Sequence, residues 1–276
     1  MHSRVYVEIT NICNMRCSFC HGHSRTPGRM TREQFARVLE QLTGRTNYLY
    51  YHLMGEPLLH PELGQFLQMA AEKGFRSILT TNGTLLQSHG QTLLKNPVHK
   101  VSVSLHSFEQ DNDETFENYL RQVADFAEKA VENGVIVSLR LWNRGFDAGR
   151  NDKAVAFLQD WFSDPWTENS KGFRLQDRLF LEWGDRFQWP DKDAEDFGSD
   201  VFCHGMKDQF GILCDGTVVP CCLDSDGIIN LGNIFTQEIA DILDSPRVRA
   251  MVDGFSCRKA TEDLCRRCGY ARRFAR

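Results

Sequence analysis

The amino-acid sequence predicts an α/β fold in which a parallel sheet carries helices on its outside. Six short β-rich runs alternate with amphipathic stretches of helical period, and no long antiparallel hairpin interrupts them. Alternation of this kind is typical of parallel sheets. Six strand–helix units are too few to close an eight-stranded barrel, so we expect an open, partial (β/α)6 barrel. The predicted strands are Val5–Thr10, Tyr48–Leu53, Ser77–Thr81, Val101–Leu105, Val135–Leu141 and Leu179–Trp183.

Capping residues and glycines mark the ends of the predicted helices. Thr31 and Gln34 form a capping-box pattern before the first helix. Pro61 suits the first turn of the second helix, and Gly74 suits its end. A third helix closes at an Asn-Gly pair, residues 133–134. Its apolar residues, which recur at helical spacing, are Phe116, Tyr119, Leu120, Val123, Phe126, Ala127 and Ala130.

Composition and charge exclude several classes of protein. The 276 residues are 41% hydrophobic and 25% charged, as in ordinary globular proteins of one large domain or two unequal ones. No apolar run is long enough to span a membrane, and no secretory signal peptide is visible. A net charge of −5 gives no general case for binding nucleic acid. We therefore expect a cytoplasmic protein with neither nucleic-acid nor membrane partners. The cations near the C-terminus, where we expect a solvated tail, are Arg258, Lys259, Arg266, Arg267, Arg272, Arg273 and Arg276.

Three cysteines directly follow the first predicted strand. Cys13, Cys17 and Cys20 form a CxxxCxxC pattern at the strand end where α/β folds place their chemistry. Three thiolates can bind three irons of a 4Fe–4S cluster, whereas clusters that only transfer electrons normally have four cysteine ligands. A zinc site completed by His21 or His23 fits poorly, because structural zinc favours two short ligand pairs with a longer gap between them. The pattern therefore predicts a cluster whose last ligands come from a substrate or cosubstrate.

This segment and four later ones resemble the radical S-adenosylmethionine (radical SAM) enzymes. The first motif is EITNICNMRCSFC at residues 8–20. Segments MGEP at 54–57, TTNG at 80–83, SVSL at 102–105 and SLRL at 138–141 follow in the family's order. The one departure is the methionine at position 54, where the family has glycine. The resemblance covers residues 5–183.

The resemblance implies a reaction and the residues that serve it. The amino and carboxylate groups of S-adenosylmethionine would complete the cluster, and one electron would cleave the cosubstrate to a 5′-deoxyadenosyl radical that removes a hydrogen atom from the substrate. Glu56 would bind the methionyl amino group, Ser104 and Arg140 the carboxylate and ribose, and Phe19 would lie near the adenine. The implied cofactor-binding residues are Phe19, Gly55, Glu56, Pro57, Asn82, Ser104 and Arg140.

A structural alternative exists for several of these residues. A serine or arginine at a strand end often satisfies only the backbone or a neighbouring charge, which applies to Ser104 and Arg140. Asn82 and Gly83 could form a tight turn and nothing more.

After Trp183 the alternation of strands and helices stops. Residues 184–200 are rich in Asp, Gly and aromatic residues, and we expect them to connect a barrel domain, residues 1–190, to a second domain, residues 191–276. In the second domain, the spacing from Cys203 through Gly216 to Cys221 resembles the opening signature of the SPASM and twitch extensions of radical SAM enzymes. The closing pair would be Cys265 and Cys268. The resemblance implies one auxiliary 4Fe–4S cluster held by Cys203, Cys221, Cys265 and Cys268, with two clusters as the alternative.

Three cysteines are left over. Cys214, Cys222 and Cys257 would by default be small buried apolar side chains, the commonest role of free cysteine. Cys222 differs because it adjoins an implied cluster ligand. In radical SAM epimerases a thiol returns a hydrogen atom to the substrate radical, so Cys222 is the candidate catalytic residue.

Three functions remain open. The first is a radical SAM oxidoreductase or epimerase of a small polar molecule, such as a sugar or aminocyclitol. The auxiliary spacing resembles the twitch-type dehydrogenases of aminoglycoside biosynthesis. The second is a maturase or epimerase of a ribosomally made peptide, which is less favoured because the first strand leaves no room for a preceding peptide-recognition domain. The third is a non-enzymatic electron-transfer protein, which the six-unit sheet disfavours. Either enzyme would need a reducing donor of the flavodoxin or ferredoxin type.

Overall fold

The computed structural model describes residues 2–109 and 112–274. One ten-stranded sheet runs through them in the order β10-β9-β1-β2-β3-β4-β5-β8-β7-β6. The strands are β1 (Arg4–Val7), β2 (Tyr48–Tyr50), β3 (Arg76–Thr81), β4 (Lys100–Ser104), β5 (Ile136–Leu141), β6 (Thr167–Asn169), β7 (Gly172–Gln176), β8 (Leu179–Trp183), β9 (Gln209–Ile212) and β10 (Val218–Val219). The α-helices of the described ranges are α1 (Arg32–Leu42), α2 (Leu63–Glu72), α3 (Leu86–Lys95), α4 (Asp113–Glu132), α5 (Arg150–Trp161), α6 (Ile239–Leu243), α7 (Pro246–Ser256) and α8 (Asp263–Arg266). None of the helices in these ranges combines the length and the apolar character that a membrane crossing requires.

The six predicted strands are all present and lie side by side. They are β1, β2, β3, β4, β5 and β8, and each pairs in parallel with the next. Helices α1 to α5 lie between them in the chain. The sheet stays open, with β10 and β6 at its two edges. The predicted partial (β/α)6 barrel is therefore confirmed.

The first two strands end earlier than predicted. β1 stops at Val7 rather than Thr10, and β2 stops at Tyr50 rather than Leu53. Beyond Val7 the backbone takes partners outside the β1–β2 pair: Glu8 N–H donates to Ile212 at 2.9 Å, and the Ile9 carbonyl accepts from Met30 at 2.8 Å. Glu8 thus still bonds to the end of a neighbouring strand, and the chain leaves the sheet at Ile9, where the loop that carries the first three cysteines begins.

An antiparallel hairpin that the sequence did not predict precedes β8. β7 pairs antiparallel with β8, and β6 pairs antiparallel with β7. β6 is exposed along its length, so it lacks the apolar alternation that predicts a strand. Asp177 and Arg178 connect β7 to β8, and Arg178 has a φ of 60°. Neither Asp177 nor Arg178 is the glycine that marks most tight hairpin turns, and the hairpin was therefore not predicted from the sequence.

The C-terminal segment extends the same sheet. β9 pairs in parallel with β1, from Arg4 opposite Gln209 to Val7 opposite Ile212, and β10 pairs antiparallel with β9. The sheet therefore continues across the boundary expected at residue 190. The division into residues 1–190 and 191–276 stays a prediction.

The capping-box and glycine signals in the sequence are confirmed, whereas the placement of Pro61 in the first turn of α2 is wrong, because the helix begins at Leu63 with Glu62 as its N-cap. The Thr31 side chain accepts a hydrogen bond from Gln34 N–H at 3.2 Å, and the Gln34 side chain accepts one from Thr31 N–H at 2.8 Å. Gly74 and Gly134 follow α2 and α4 with φ of +83° and +79°. The buried face of α4 comprises the seven predicted residues and Ala124.

The C-terminal arginines fold back onto the chain as far as residue 274. Arg266 pairs with Asp196 at 2.5 Å and Arg258 with Asp200 at 3.4 Å. Both acids belong to the segment that follows β8, so these two arginines are paired, whereas Lys259, Arg272 and Arg273 are exposed. The expectation of a solvated tail is therefore wrong for the paired arginines and stays a prediction for the exposed cations; Arg276 lies outside the described residues.

Candidate active site

The first three cysteines lie in a loop that is closed at its base. Asn11 holds the two ends together: its side chain donates to Thr26 at 3.0 Å and accepts from Gly28 N–H at 2.7 Å. Cys13 and Cys20 are exposed, and Cys17 is half-buried. Burial raises the pKa of Cys17 to about 12, and the Cys20 and Cys13 thiols add to the rise. The three sulfurs therefore lie near one another at the C-terminal ends of the parallel strands.

The neighbouring histidines point to other partners. His23 Nε2 lies 2.9 Å from the Asn11 carbonyl oxygen, and His21 stacks on Trp189 with ring centroids 6.0 Å apart. Over the described ranges no three His, Cys, Asp or Glu side chains converge as a single-ion site. A four-iron cluster needs wider spacing, because each thiolate binds a different iron. Three thiolates in one loop form a donor set that suits three irons of such a cluster.

The Gly55–Pro57 turn joins the end of β2 to the cysteine loop. Gly55 has a φ of +78°, and a Cβ there would lie 2.3 Å from the Thr10 carbonyl oxygen, so only glycine fits. Glu56, 1% exposed, accepts hydrogen bonds from Leu58 N–H at 3.1 Å and Asn82 N–H at 2.8 Å. Burial raises the pKa of Glu56 to about 7. The carboxylate therefore links the ends of β2 and β3.

Met54, the departure from the family's glycine, is accommodated beside the first cysteine group. Its side chain is buried, and its Sδ lies 4.0 Å from Cys20 Sγ. The turn keeps its form because Gly55 still supplies the left-handed residue.

Asn82 lies against the cysteine loop. Its Nδ2 donates to Asn14 Oδ1 at 2.9 Å and lies 4.0 Å from Cys13 Sγ. Gly83 has a φ of +80°, and a Cβ there would come within 2.9 Å of Tyr119 Oη. Asn82 and Gly83 therefore do form the tight turn of the structural alternative, and the turn also contacts the loop.

Ser104 and Arg140 are cross-strand neighbours on β4 and β5. The Arg140 guanidinium lies 4.6 Å from the Trp142 ring centroid, 3.4 Å from Thr80 Oγ1 and 3.7 Å from Glu182. Its Nε has no hydrogen-bond partner within the described residues. Glu182 satisfies part of the charge, as the structural alternative holds, because its Oε2 lies 3.7 Å from that same buried Nε.

Phe19 lies beside a cavity of about 330 Å³, against His106 of its lining. Its ring centroid is 4.8 Å from that of His106, whose Nδ1 lies 2.9 Å from the Arg140 carbonyl oxygen. The cavity lies beside Ser18, and its polar lining includes His106, Glu109, Asn143 and Arg186. No sequence motif marked these four residues. His106 and Glu109 lie just after β4, and this position at a strand end is a signal that could have indicated those two residues.

The four predicted auxiliary cysteines line one small apolar cavity. Its lining comprises Cys203, Cys221, Cys265 and Cys268 with Pro190, Val201, Pro220, Asp224, Ile229, Leu264 and Ala271. Burial, and then the neighbouring thiols, raise the pKa of Cys221 and Cys265 well above the usual range. Four sulfurs with almost no competing polar groups form a donor set that suits an iron–sulfur cluster.

The three remaining cysteines differ in their surroundings. Cys214 is buried, as expected for a small apolar residue, whereas Cys257 is exposed and contradicts that expectation. Cys222 is half-buried and packs against a small cluster of Tyr6, Leu53, Leu213 and Val219. Burial raises the pKa of Cys222 to about 11, so the thiol keeps its proton at neutral pH.

Two family models match the sequence. The radical SAM superfamily matches residues 7–143, and the SPASM iron–sulfur cluster-binding domain matches residues 203–269. The chain is a radical SAM enzyme with a C-terminal SPASM domain. Its cofactors are S-adenosylmethionine and 4Fe–4S clusters, including an auxiliary one. Family membership sets aside zinc and the plain electron carrier.

The radical SAM enzyme resembles proteins of differing activities. It is 24% identical to GTP 3′,8-cyclase of Microcystis aeruginosa, covering 90% of this chain and 89% of the cyclase. It is 26% identical to the subtilosin biosynthesis protein AlbA of Bacillus subtilis, covering 95% of this chain but 65% of AlbA. A crystal structure of BtrN in complex with AdoMet and 2-DOIA superposes with a TM-score of 0.60 at 19% identity, covering 97% of this chain and 93% of BtrN. The BtrN likeness establishes the fold alone.

Proposed function

We propose that this radical SAM enzyme cleaves S-adenosylmethionine reductively and uses the radical formed to remove a hydrogen atom from a small polar substrate, such as a sugar or aminocyclitol. The outcome is oxidation or epimerisation. When bound, the cluster and cosubstrate supply the 5′-deoxyadenosyl radical. The electron for each cleavage comes from a donor protein of the flavodoxin or ferredoxin type.

The cysteine loop and the strand ends around it form the cosubstrate site in this proposal. Cys13, Cys17 and Cys20 hold three irons. Arg140 orients the carboxylate together with Ser104, its cross-strand neighbour on β4. Gly55, Glu56 and Pro57 form one wall next to Asn82, and Phe19 lies beside the cavity that receives the adenosine end. Cys203, Cys221, Cys265 and Cys268 hold one auxiliary cluster.

The position of Cys222, next in the chain to Cys221 and beside Tyr6, is the observation on which epimerisation depends. A hydrogen-atom donor must carry its hydrogen at working pH, and burial keeps the pKa of Cys222 near 11. Its S–H bond breaks as a C–H bond forms on the substrate radical. One electron from the donor protein and one proton from solvent then restore the thiol.

The side chains around Cys222 support a small polar substrate. Tyr6 lies beside Cys222, with its ring centroid 5.1 Å from that of Tyr50 and 5.2 Å from that of His52. Burial lowers the pKa of His52 to about 3, so its imidazole is neutral, and its Nδ1 has no partner within the described part of the chain. Neutral hydroxyl and imidazole groups suit hydrogen bonds to substrate hydroxyls.

Oxidation would use the same first step. The substrate radical would lose a hydroxyl proton to a base and one electron to an acceptor held by the auxiliary cysteines. Cys221, one of those cysteines, is the immediate neighbour of Cys222 in the chain. In this proposal, both outcomes would involve neighbouring residues of the chain.

Turnover in deuterated water separates the two outcomes. We expect reduced, reconstituted enzyme to release 5′-deoxyadenosine and methionine with candidate sugars and aminocyclitols. Epimerisation leaves solvent deuterium at one substrate carbon, because the Cys222 thiol exchanges with solvent, and Cys222→Ala abolishes that incorporation while still releasing 5′-deoxyadenosine. A product oxidised by two electrons, formed equally by Cys222→Ala, would refute the hydrogen-donor role.

Peptide maturation is the second candidate. The similarity to AlbA over 95% of this chain favours it. Candidate precursor peptides assayed in the same way would gain deuterium at one Cα on epimerisation, or lose hydrogen mass on cross-linking. Turnover of peptides without turnover of sugars would replace the first candidate by the second.

A further inference from the structure

Trp189, in the segment that follows β8, contacts both chain neighbours of Cys20, which are Phe19 and His21. Its Nε1–H donates to the Phe19 carbonyl oxygen at 2.9 Å. Its ring stacks on His21 with centroids 6.0 Å apart and an interplanar angle of 19°. Trp189 therefore holds the chain on each side of a proposed ligand of the first cluster.

The residues flanking Trp189 contact the auxiliary cysteines instead. Pro190 lines the same small cavity as those four thiols. Gly269 follows Cys268 directly and lies so near Gln188 that a Cβ on it would come within 2.7 Å of the Gln188 carbonyl oxygen. Residues 188–190 therefore contact both the auxiliary site and the first cysteine loop.

Arg186 gives the same segment a second contact with the loop. Its guanidinium carbon lies 5.7 Å from the Phe19 ring centroid, and its Nη2 lies 3.9 Å from the Glu109 carboxylate. Glu109 accepts from Ser18 N–H at 2.7 Å. The segment therefore contacts the loop between Cys17 and Cys20 directly and through Glu109.

The cysteine loop depends on such outside contacts for its order. Cys13 and Cys20 are exposed, and a segment with few buried apolar contacts opens at low free energy. A ligand that binds only the ordered form of a site stabilises that form. A cluster in the auxiliary site would order residues 188–190, because Pro190 lies in its wall.

We propose that Trp189 is a positioning residue that couples the two cysteine sites, so that filling the auxiliary site orders the loop of Cys17 and Cys20. The coupling is reciprocal, because linkage between two binding sites is symmetric. It rests on the proposed function in one respect, namely that the two cysteine groups hold clusters.

Hydrogen exchange in a protein with only the auxiliary site tests this coupling. In the triple variant Cys13→Ala/Cys17→Ala/Cys20→Ala, the first site cannot fill, so changes in the loop report the auxiliary site alone. We expect anaerobic reconstitution to slow amide exchange in residues 14–23 about fivefold, the size expected for one hydrogen bond. Adding Trp189→Ala should abolish the slowing at unchanged auxiliary iron content, and Trp189→Phe, which keeps the ring but lacks the N–H, should retain part of it.

A tryptophan elsewhere provides the matched control. Trp161, on α5, stacks on Phe157 at 5.8 Å, and Trp161→Ala should leave the slowing intact. Slowing that persists in Trp189→Ala, or that is absent although iron is bound, would overturn the coupling and leave the proposed function standing. Failure of the triple variant to bind iron at all would overturn both. Amide exchange is compared in the same variant before and after its auxiliary site is filled. A general loss of stability in a variant is present in both measurements and therefore does not produce the expected difference.

Discussion

Glu56 is a carboxylate held between two backbone N–H groups, with almost no contact with water. Its two hydrogen bonds favour the charged form, yet burial outweighs them and raises the pKa from its usual 4.5 to about 7. Near neutral pH the group is therefore close to half protonated. Binding of a cationic amino group beside it would favour the charged form.

The raised pKa of Glu56 predicts a pH-dependent stability. Between pH 4.5 and about 7 the folded chain binds a proton that the unfolded chain releases, so the contribution of Glu56 is present below pH 4.5 and is lost as the pH rises through about 7. We expect wild type to lose up to about 3 kcal/mol relative to Glu56→Gln over that window. Urea unfolding of both apo proteins at pH 5 and pH 8 measures it. An equal difference at the two pH values would contradict the assignment.

At the scale of elements, the candidate site is formed by loops that contact one another directly. The turn after β2 lies against the loop after β1 so closely that the α-hydrogen side of Gly55 faces the Thr10 carbonyl oxygen. The turn after β3 donates from Asn82 to Asn14 in the same loop. The cysteine loop is therefore shaped by its neighbours as well as by its own residues.

Gly55→Ala should destabilise the protein by more than its left-handed backbone alone explains. Gly44 has a nearly identical φ, +77°, and a Cβ added there would meet nothing within 4 Å, whereas one added at Gly55 would meet the Thr10 oxygen at 2.3 Å. We expect Gly44→Ala to cost about 1 kcal/mol and Gly55→Ala to cost at least about 2 kcal/mol more through the clash. Urea unfolding of the apo variants measures both, and equal costs would show that the turn shifts freely.

Element prediction succeeded where residue patterns are local. The capping box at Thr31 and the glycine after α2 act through neighbours in the chain, so both were visible in the sequence. β9 was missed because it is recognisable only by its pairing with β1, about two hundred residues away. The early end of β1 was missed for the same reason, since Ile9 bonds to Met30 at the far end of the cysteine loop instead of to β2.

At the scale of the whole molecule, a buried ion pair joins three parts of the chain. Glu8, at the end of β1 and 0% exposed, pairs with Arg25 of the cysteine loop at 2.7 Å. The carboxylate also accepts from Met54 N–H at 3.2 Å and from Cys214 N–H at 3.1 Å. Arg25 in turn donates to the Ser225 carbonyl oxygen at 2.7 Å. The pair therefore fixes the cysteine loop against both β2 and the SPASM segment.

Breaking that pair from one side should be costly. Glu8→Gln leaves the Arg25 cation buried without a countercharge, and we expect a loss of about 3 kcal/mol or more in the free energy of unfolding. Glu117→Gln, which breaks the exposed pair with Arg121, should cost about 0.5 kcal/mol or less. A double variant, Glu8→Gln/Arg25→Met, should be more stable than the sum of its single variants implies. Additive losses in urea unfolding would mean that the two side chains act independently.

The sequence by itself determined the radical SAM class and the parallel sheet, because the CxxxCxxC motif and the hydrophobic period involve residues a few positions apart. Its resemblance to the SPASM and twitch extensions predicted the auxiliary cysteine set. Only the tertiary structure decided that the SPASM segment adds strands to the barrel sheet, that Cys222 lies beside Tyr6, and that Trp189 lies between the two cysteine groups. Those facts depend on contacts between residues far apart in the chain. Folding alone brings such residues together, since no local pattern encodes which distant backbone group will satisfy a given side chain.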